Sequence, residues 1–272
     1  MDGSALLALA IGWLSAGMVN YLGDVLPRRR KLVKPFCLRC AADQAGLTYW
    51  LWPGRCASCG RPRGLRAALV FLAGAAAAVF LWLTPDLRLP FWLNLLIWMY
   101  FGLVIVIDME HRLILHSTSY VGAALGLTAG VWLHGIPATL LGGAAGFATM
   151  LALYWLGGLF ARLVSRRKRA PSPANSAPGA AEAQAEPPGE ADGEELVEDA
   201  LGFGDVNLAG IIGLFLGWPG IIAGLMGAIL LGGAASLLYI GAALLARRYR
   251  AFTAIPYGPF LAIAALYLLY FS

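Results

Sequence analysis

The chain has 272 residues, of which 60% are hydrophobic and 13% charged, with a mean hydropathy of +0.72. That composition excludes an ordinary soluble domain and is that of an all-α polytopic membrane protein. The net charge of +5 does not imply nucleic-acid binding: nineteen of the twenty Lys and Arg residues fall in alternate connections between apolar runs, and only Arg88 lies on the other side. This asymmetry orients a membrane protein, with the basic connections in the cytoplasm and both termini outside.

An α-helical span needs about 20 mostly apolar residues. Runs at 5–25, 67–83, 91–107, 118–133, 138–163, 206–216, 220–246 and 254–271 predict about eight transmembrane helices. The first carries its positive cluster behind it rather than in front, and reads as an uncleaved anchor. The sixth is short, so its helix is expected to begin upstream, near 202–205. Gly142, Gly143 and Gly146, and the pair Gly232 and Gly233, are expected to let helices approach closely.

Between the first two runs, the excursion 26–66 holds all four cysteines, as Cys37-Leu38-Arg39-Cys40 and Cys56-Ala57-Ser58-Cys59, with 15 residues between the knuckles. Two matched CxxC knuckles have the spacing of a four-thiolate zinc site. A cytoplasmic location disfavours disulfides, and a unit of about 40 residues needs such a staple. Four ligands close the shell, so the zinc is expected to be structural. A redox pair is the alternative that the matched knuckles disfavour. The stretch 170–199, rich in Ala, Pro, Ser and Glu, is expected to be a disordered tether.

Asp108 closes the run 91–107, and Asp205, in Gly202-Phe203-Gly204-Asp205, opens the run 206–216. They stand out as the carboxylates bordering apolar runs, the hydrophobic segments being expected to hold no others. A carboxylate in such a place is costly and tends to be functional. Two at one depth can share a proton and activate water, which is general acid–base hydrolysis. Gly202 and Gly204 are expected to admit a substrate strand close to the backbone. Against this stand blander roles: Asp108 as a wetted boundary residue, and Asp205 as the cap of the following helix. Glu110 and His111 read as solvated, with Glu110 a possible attractor of a basic substrate segment. His116 reads as a lone histidine, His134 as structural, and Asn20 and Asn94 as interhelical hydrogen-bonders.

Five ordered segments carry a family resemblance: Ala16-Gly17-Met18-Val19-Asn20 followed by Leu26-Pro27-Arg28; the paired knuckles; Asp108-Met109-Glu110-His111-Arg112-Leu113-Ile114; Leu201-Gly202-Phe203-Gly204-Asp205-Val206; and Ile255-Pro256-Tyr257-Gly258-Pro259-Phe260-Leu261-Ala262. Over almost its whole length the chain resembles the bacterial type IV prepilin peptidases, GxGD aspartyl proteases that also act as N-methyltransferases. The resemblance implies an aspartyl endopeptidase of the inner (cytoplasmic) membrane. Its catalytic pair would be Asp108 and Asp205. It would cleave prepilin or pseudopilin precursors after a Gly, on the cytoplasmic side, and methylate the new N-terminus from S-adenosylmethionine. The sequence departs from the family pattern at Leu115 and His116, where Pro and then Asp or Asn are usual, and at Asn207, where Lys is usual.

The expected organisation is a first helix over 1–25, a cytoplasmic four-Cys zinc subdomain over 26–66, helices two to five with the first catalytic Asp over 67–164, a cytoplasmic loop over 165–200, and the GxGD segment with helices six to eight over 201–272. The substrate protein and the lipid bilayer are the implied partners, with no nucleic acid. The rivals are a peptidase without methylation, a proton-coupled transporter using the same aspartates, and a non-catalytic assembly factor docking through the zinc knuckle.

Overall fold

The computed structural model describes residues 3–44, 49–50, 55–168, 202–246 and 256–271. Among these residues the chain forms eight helices: α1 (Gly3–Arg29), α2 (Leu65–Leu83), α3 (Phe91–His111), α4 (His116–His134), α5 (Ile136–Lys168), α6 (Phe203–Leu216), α7 (Gly220–Leu245) and α8 (Gly258–Phe271). Extended pairing among them is limited to two isolated bridges, Phe36 with Asp43 and Arg55 with Pro62. Each of the eight expected runs holds one of these helices. Helices α1, α2, α3, α5 and α7 are long and apolar enough to cross a membrane, whereas α6 and α8 are apolar but only 14 residues each. The tether expected over 170–199 lies outside the described residues.

Helix α6 is the axis of the larger bundle. It packs on α4, α5, α7 and α8, and Val206, Leu208, Ala209, Ile211, Ile212, Phe215 and Leu216 are all buried. A helix apolar on every face belongs in the middle of a bundle, because each face can be covered by another helix. The core continues through Ile97, Tyr100, Phe101 and Val104 of α3 and through Leu261, Ala262 and Ala265 of α8. Its short length follows from this place. At 1.5 Å per residue α6 spans about 21 Å, less than the about 30 Å of hydrocarbon, so its N-terminus need not reach the interface.

Glycine decides how closely α5 and α6 approach. A Cβ on Gly213 would fall on the Gly142 carbonyl group and lie 3.0 Å from the Gly143 Cα. A Cβ on Gly143 would lie 2.9 Å from Leu214 Cγ. A second seam joins α1 to α2: Gly12 and Ala16 face Gly74 and Ala78, with a Cβ on Gly12 only 2.5 Å from that of Ala78. These are small residues four apart on both helices, the pattern by which membrane helices bring their backbones together. The expected contact at Gly232 and Gly233 is different. A Cβ at Gly232 would meet Tyr257 and Phe260 at an ordinary 3.5 Å, and one at Gly233 would meet nothing within 4 Å. Asn20 and Asn94 do bond between segments: Asn20 Nδ2 donates to the Ala67 carbonyl at 3.2 Å, and Tyr270 Oη donates to Asn94 Oδ1 at 3.0 Å.

Because the Gly213 Cβ site is occupied by rigid backbone, Gly213→Ala should destabilise the bundle by about 1–3 kcal/mol through overpacking. Gly233→Ala should change stability by less than about 0.5 kcal/mol. Thermal unfolding of the two proteins in the same detergent checks the contrast.

Candidate active site

Asp108 lies in the last turn of α3 and is 5% exposed. Asp205 is the third residue of α6 and half-buried. It is therefore not the N-cap residue, a position held by Gly202. Its amide donates to the Gly202 carbonyl at 3.0 Å, and the Gly202 backbone interacts favourably with its carboxylate, as where an acidic side chain in a capping box reaches back to the first free amide. The positive end of α6 also favours a negative charge there. The two carboxylates are close enough for the charge of Asp108 to act on Asp205. Three helix ends thus converge: the C-terminus of α3 and the N-termini of α6 and α8.

The α8 end closes the site. A Cβ on Gly258 would lie 2.6 Å from Asp108 Oδ2 and 3.1 Å from its Cγ, so this backbone rests directly on the carboxylate. The Gly258 amide interacts favourably with the carboxylate, while Oδ2 itself is buried without a hydrogen-bond partner. Tyr257, the preceding residue, is within electrostatic range of Asp205. The glycines of the GxGD segment do unequal work. A Cβ on Gly204 would come within 2.8 Å of Ile114 Cβ, so this glycine admits the chain's own 112–115 loop against α6. Gly202 has ordinary extended geometry, and a Cβ there would meet nothing nearer than 3.9 Å.

The four thiols come together as the spacing predicts. Their Sγ atoms all lie within 4.8 Å of one another, with Cys37 to Cys59 at 3.8 Å and Cys40 to Cys56 at 3.6 Å. Tetrahedral zinc with bonds of about 2.3 Å needs sulfur separations of about 3.8 Å, so the cluster fits such an ion. The two knuckles repeat one backbone pattern. Cys37 N donates to the Ala42 carbonyl at 2.8 Å and Cys56 N to the Arg61 carbonyl at 2.9 Å. The residue four after each leading cysteine is left-handed: Ala41 at φ 57° and Gly60 at φ 66°. Amides of Cys59 and Ser58 point at the Cys56 sulfur and lower its pKa to about 6, and those of Cys40 and Arg39 lower that of Cys37. Amide nests of this kind favour the thiolate that a metal requires.

A third carboxylate corrects the expectation that the apolar runs hold no others. Asp24 lies inside α1, inside the run 5–25, and is 3% exposed. Its Oδ2 accepts from Tyr49 Oη at 2.5 Å and from Arg63 Nη2 at 3.1 Å, and its Oδ1 accepts from Arg66. Arg63 also stacks 3.5 Å over the Tyr49 ring. Arg66 continues to Glu110 Oε2 at 2.8 Å. Glu110 is thus ion-paired rather than freely solvated. His111 Nε2 is buried, 3.9 Å from the same oxygen. The signal for this cluster was present in the sequence, since an Asp inside an apolar helix calls for a cationic partner. Arg63 and Arg66 lie in the basic excursion 26–66, so orientation charge and ion-pair partners look alike in the sequence. His116 is exposed, and His134 packs against Gly217, at the opposite end of α6 from Asp205.

Residues 93–237, just over half of the chain, match the profile of the type IV leader peptidase family. The chain belongs to that family. It is a multi-pass membrane leader peptidase of the prepilin peptidase type, with Gly202-Phe203-Gly204-Asp205 as its GxGD segment. No curated protein and no solved structure matches it. The family match spans both aspartates but not α1, the cysteine subdomain, α2 or α8. Family membership also displaces the transporter and assembly-factor readings.

Two outcomes are expected. Gly258→Ala should press on the Asp108 carboxylate and lower leader cleavage by roughly tenfold or more, with the protein still folded; peptide cleavage beside thermal unfolding checks this. Ala41→Gly should stabilise the cysteine subdomain by about 0.5–1 kcal/mol, because it removes a left-handed alanine; zinc retention against a chelator and thermal unfolding report it.

Proposed function

We propose that Asp108 and Asp205 are the catalytic dyad of this leader peptidase, cutting prepilin-like precursors after the leader Gly on the cytoplasmic side of the membrane. The observation that carries this reading is the convergence of two carboxylates from α3 and α6 within electrostatic range, in a pocket of backbone closed by Gly258. Two neighbouring carboxylates hold one proton between them. The ionised member takes a proton from water as its oxygen attacks the scissile carbonyl, and the protonated member donates to the carbonyl oxygen. Collapse of the tetrahedral intermediate breaks the C–N bond, and the departing amine takes up a proton. No covalent intermediate forms.

The orientation charge supports a cytoplasmic site, since Arg112 and the basic excursion 26–66 lie at the Asp108 end of the bundle. An apolar groove of about 570 Å³ runs between α1, α2 and α3. It ends at Met109 and Glu110, beside Asp108, and suits the hydrophobic stretch of a precursor. Zinc in the four-Cys subdomain would be structural, held by Cys37, Cys40, Cys56 and Cys59, and would supply folding energy rather than chemistry. N-methylation stands differently. Among the described residues, the cavity beside the cysteines measures about 110 Å³, below the about 300–1,000 Å³ of small-molecule sites. It does not fit S-adenosylmethionine. Equilibrium binding of S-adenosylmethionine to the purified protein separates a peptidase alone from a peptidase that also methylates.

The dyad is tested by cleavage of a prepilin-like peptide in detergent. Asp108→Asn and Asp205→Asn should each lose at least about 10³-fold in kcat while retaining the wild-type unfolding temperature. Retained cleavage in either variant would sink the assignment.

A further inference from the structure

The charged cluster around Asp24 takes no part in the dyad chemistry, yet it joins the cysteine subdomain to the helix end that carries Asp108. We propose that Asp24, acting through Arg66 and Glu110, is a positioning residue for Asp108, and that it makes leader cleavage depend on the folded four-cysteine subdomain. The inference rests on the dyad reading given above.

The cluster is closed and balanced. Two carboxylates, Asp24 and Glu110, face two guanidiniums, Arg63 and Arg66. Both oxygens of Asp24 are engaged, and the Arg66 guanidinium divides its two Nη groups between Asp24 and Glu110. Asp24 and Arg63 are 3% and 8% exposed. Removing one partner from such a buried pair is far more disruptive than breaking a surface ion pair, because it strands a charge out of water.

Each member belongs to a different part of the molecule. Asp24 is in the penultimate turn of α1. Arg63 follows Cys59 by four residues, and its backbone comes directly off the second knuckle. Tyr49 comes from the segment between the knuckles and donates to Asp24 while accepting from Arg63 through its carbonyl at 3.0 Å. Arg66 opens α2. Glu110 is two residues beyond Asp108 in the last turn of α3. Helix α1 is brought to this level by Gly23, where a Cβ would lie 2.9 Å from Val106 Cγ1 of α3.

The end of α3 needs such a tie. The helix stops at His111, and Arg112 turns left-handed at φ 50°. The last turn of a helix lacks continuing hydrogen bonds and opens most easily. Asp108 sits in that turn with one carboxylate oxygen unpartnered. The Arg66–Glu110 pair fixes the turn from one side while Gly258 rests on it from the other. A shift on the order of 1 Å at a catalytic carboxylate costs on the order of 100-fold in rate. A weak but directional tie therefore matters more to kcat than to stability. The same pairing takes up the Glu110 charge that a basic leader would otherwise meet.

The test uses full-length protein in detergent with a prepilin-like peptide, comparing wild type, Glu110→Gln, Arg66→Met, the double variant and Asp24→Asn. Glu110→Gln and Arg66→Met should each lower kcat by about tenfold, with KM held within about twofold at low and high salt. The double variant should fall no further than Arg66→Met, since both changes sever one tie. Amide hydrogen exchange reads the coupling without activity: residues 108–112 should exchange faster in Arg66→Met, and also in wild type once zinc is chelated. Unchanged kcat with unchanged exchange at 108–112 overturns the proposal, as do additive losses. A salt-dependent rise in KM with intact kcat also overturns it, because that assigns Glu110 to attracting the leader. Faster exchange in the variants, beside an Asp108→Asn protein that still cleaves, keeps the tie and removes the dyad reading instead.

Discussion

A carboxylate withdrawn from water must be met by donors or by opposite charge, and one end of this bundle is arranged around three of them. Asp24 is met in full, by a phenol and two guanidiniums. Asp205 is met by the start of its own helix. Asp108 is left short, with Oδ2 buried and unpartnered beneath Gly258. The gradation is chemically sensible. A structural carboxylate gains from every bond it can make, whereas one that must exchange a proton with water needs a free lone pair.

Asp108 and Asp205 come together because α6 lies at the centre. Its all-round apolar surface draws α4, α5, α7 and α8 onto it, and glycines at the α5 contact let the backbones touch. With its far end anchored near His134 and Ala138, a helix of 14 residues stops short of the bundle's other end. Asp205 is therefore half-buried rather than at an open surface. The same shortness in α8 delivers Gly258 to Asp108. Two short helices thus end against the last turn of one long helix, at the two aspartates.

The cysteine subdomain reaches the bundle through its exits. The knuckles themselves are self-contained, each closed by its own pair of backbone hydrogen bonds. What they project inward is Tyr49, laid on α1 beside Tyr21 and Trp50, and Arg63, held between that ring and Asp24. Gly17 of α1 makes room for Trp50, with a Cβ there 3.0 Å from the indole. Among the described residues, the four-cysteine unit is thus connected to a membrane bundle through an aromatic platform and a buried charge cluster.

The sequence by itself determined the helices, the four-thiol cluster and the two aspartates, because each is written in local terms: apolar length, CxxC spacing, and a carboxylate where an apolar run ends. It also carried Asp24, but the cost of burying that residue is visible only when its partners, Arg63 and Arg66, are known to fold back across about forty residues. Likewise the sequence supplied Gly204 and Gly258 without saying what fills the space beside them. Only the tertiary structure decided that Ile114 occupies the first and the Asp108 carboxylate the second. Glu110 changed from a solvated acid to half of an ion pair for the same reason. Local patterns fix which elements form. The contacts between elements depend on how closely backbones approach, and that distance is set by packing that no single segment contains.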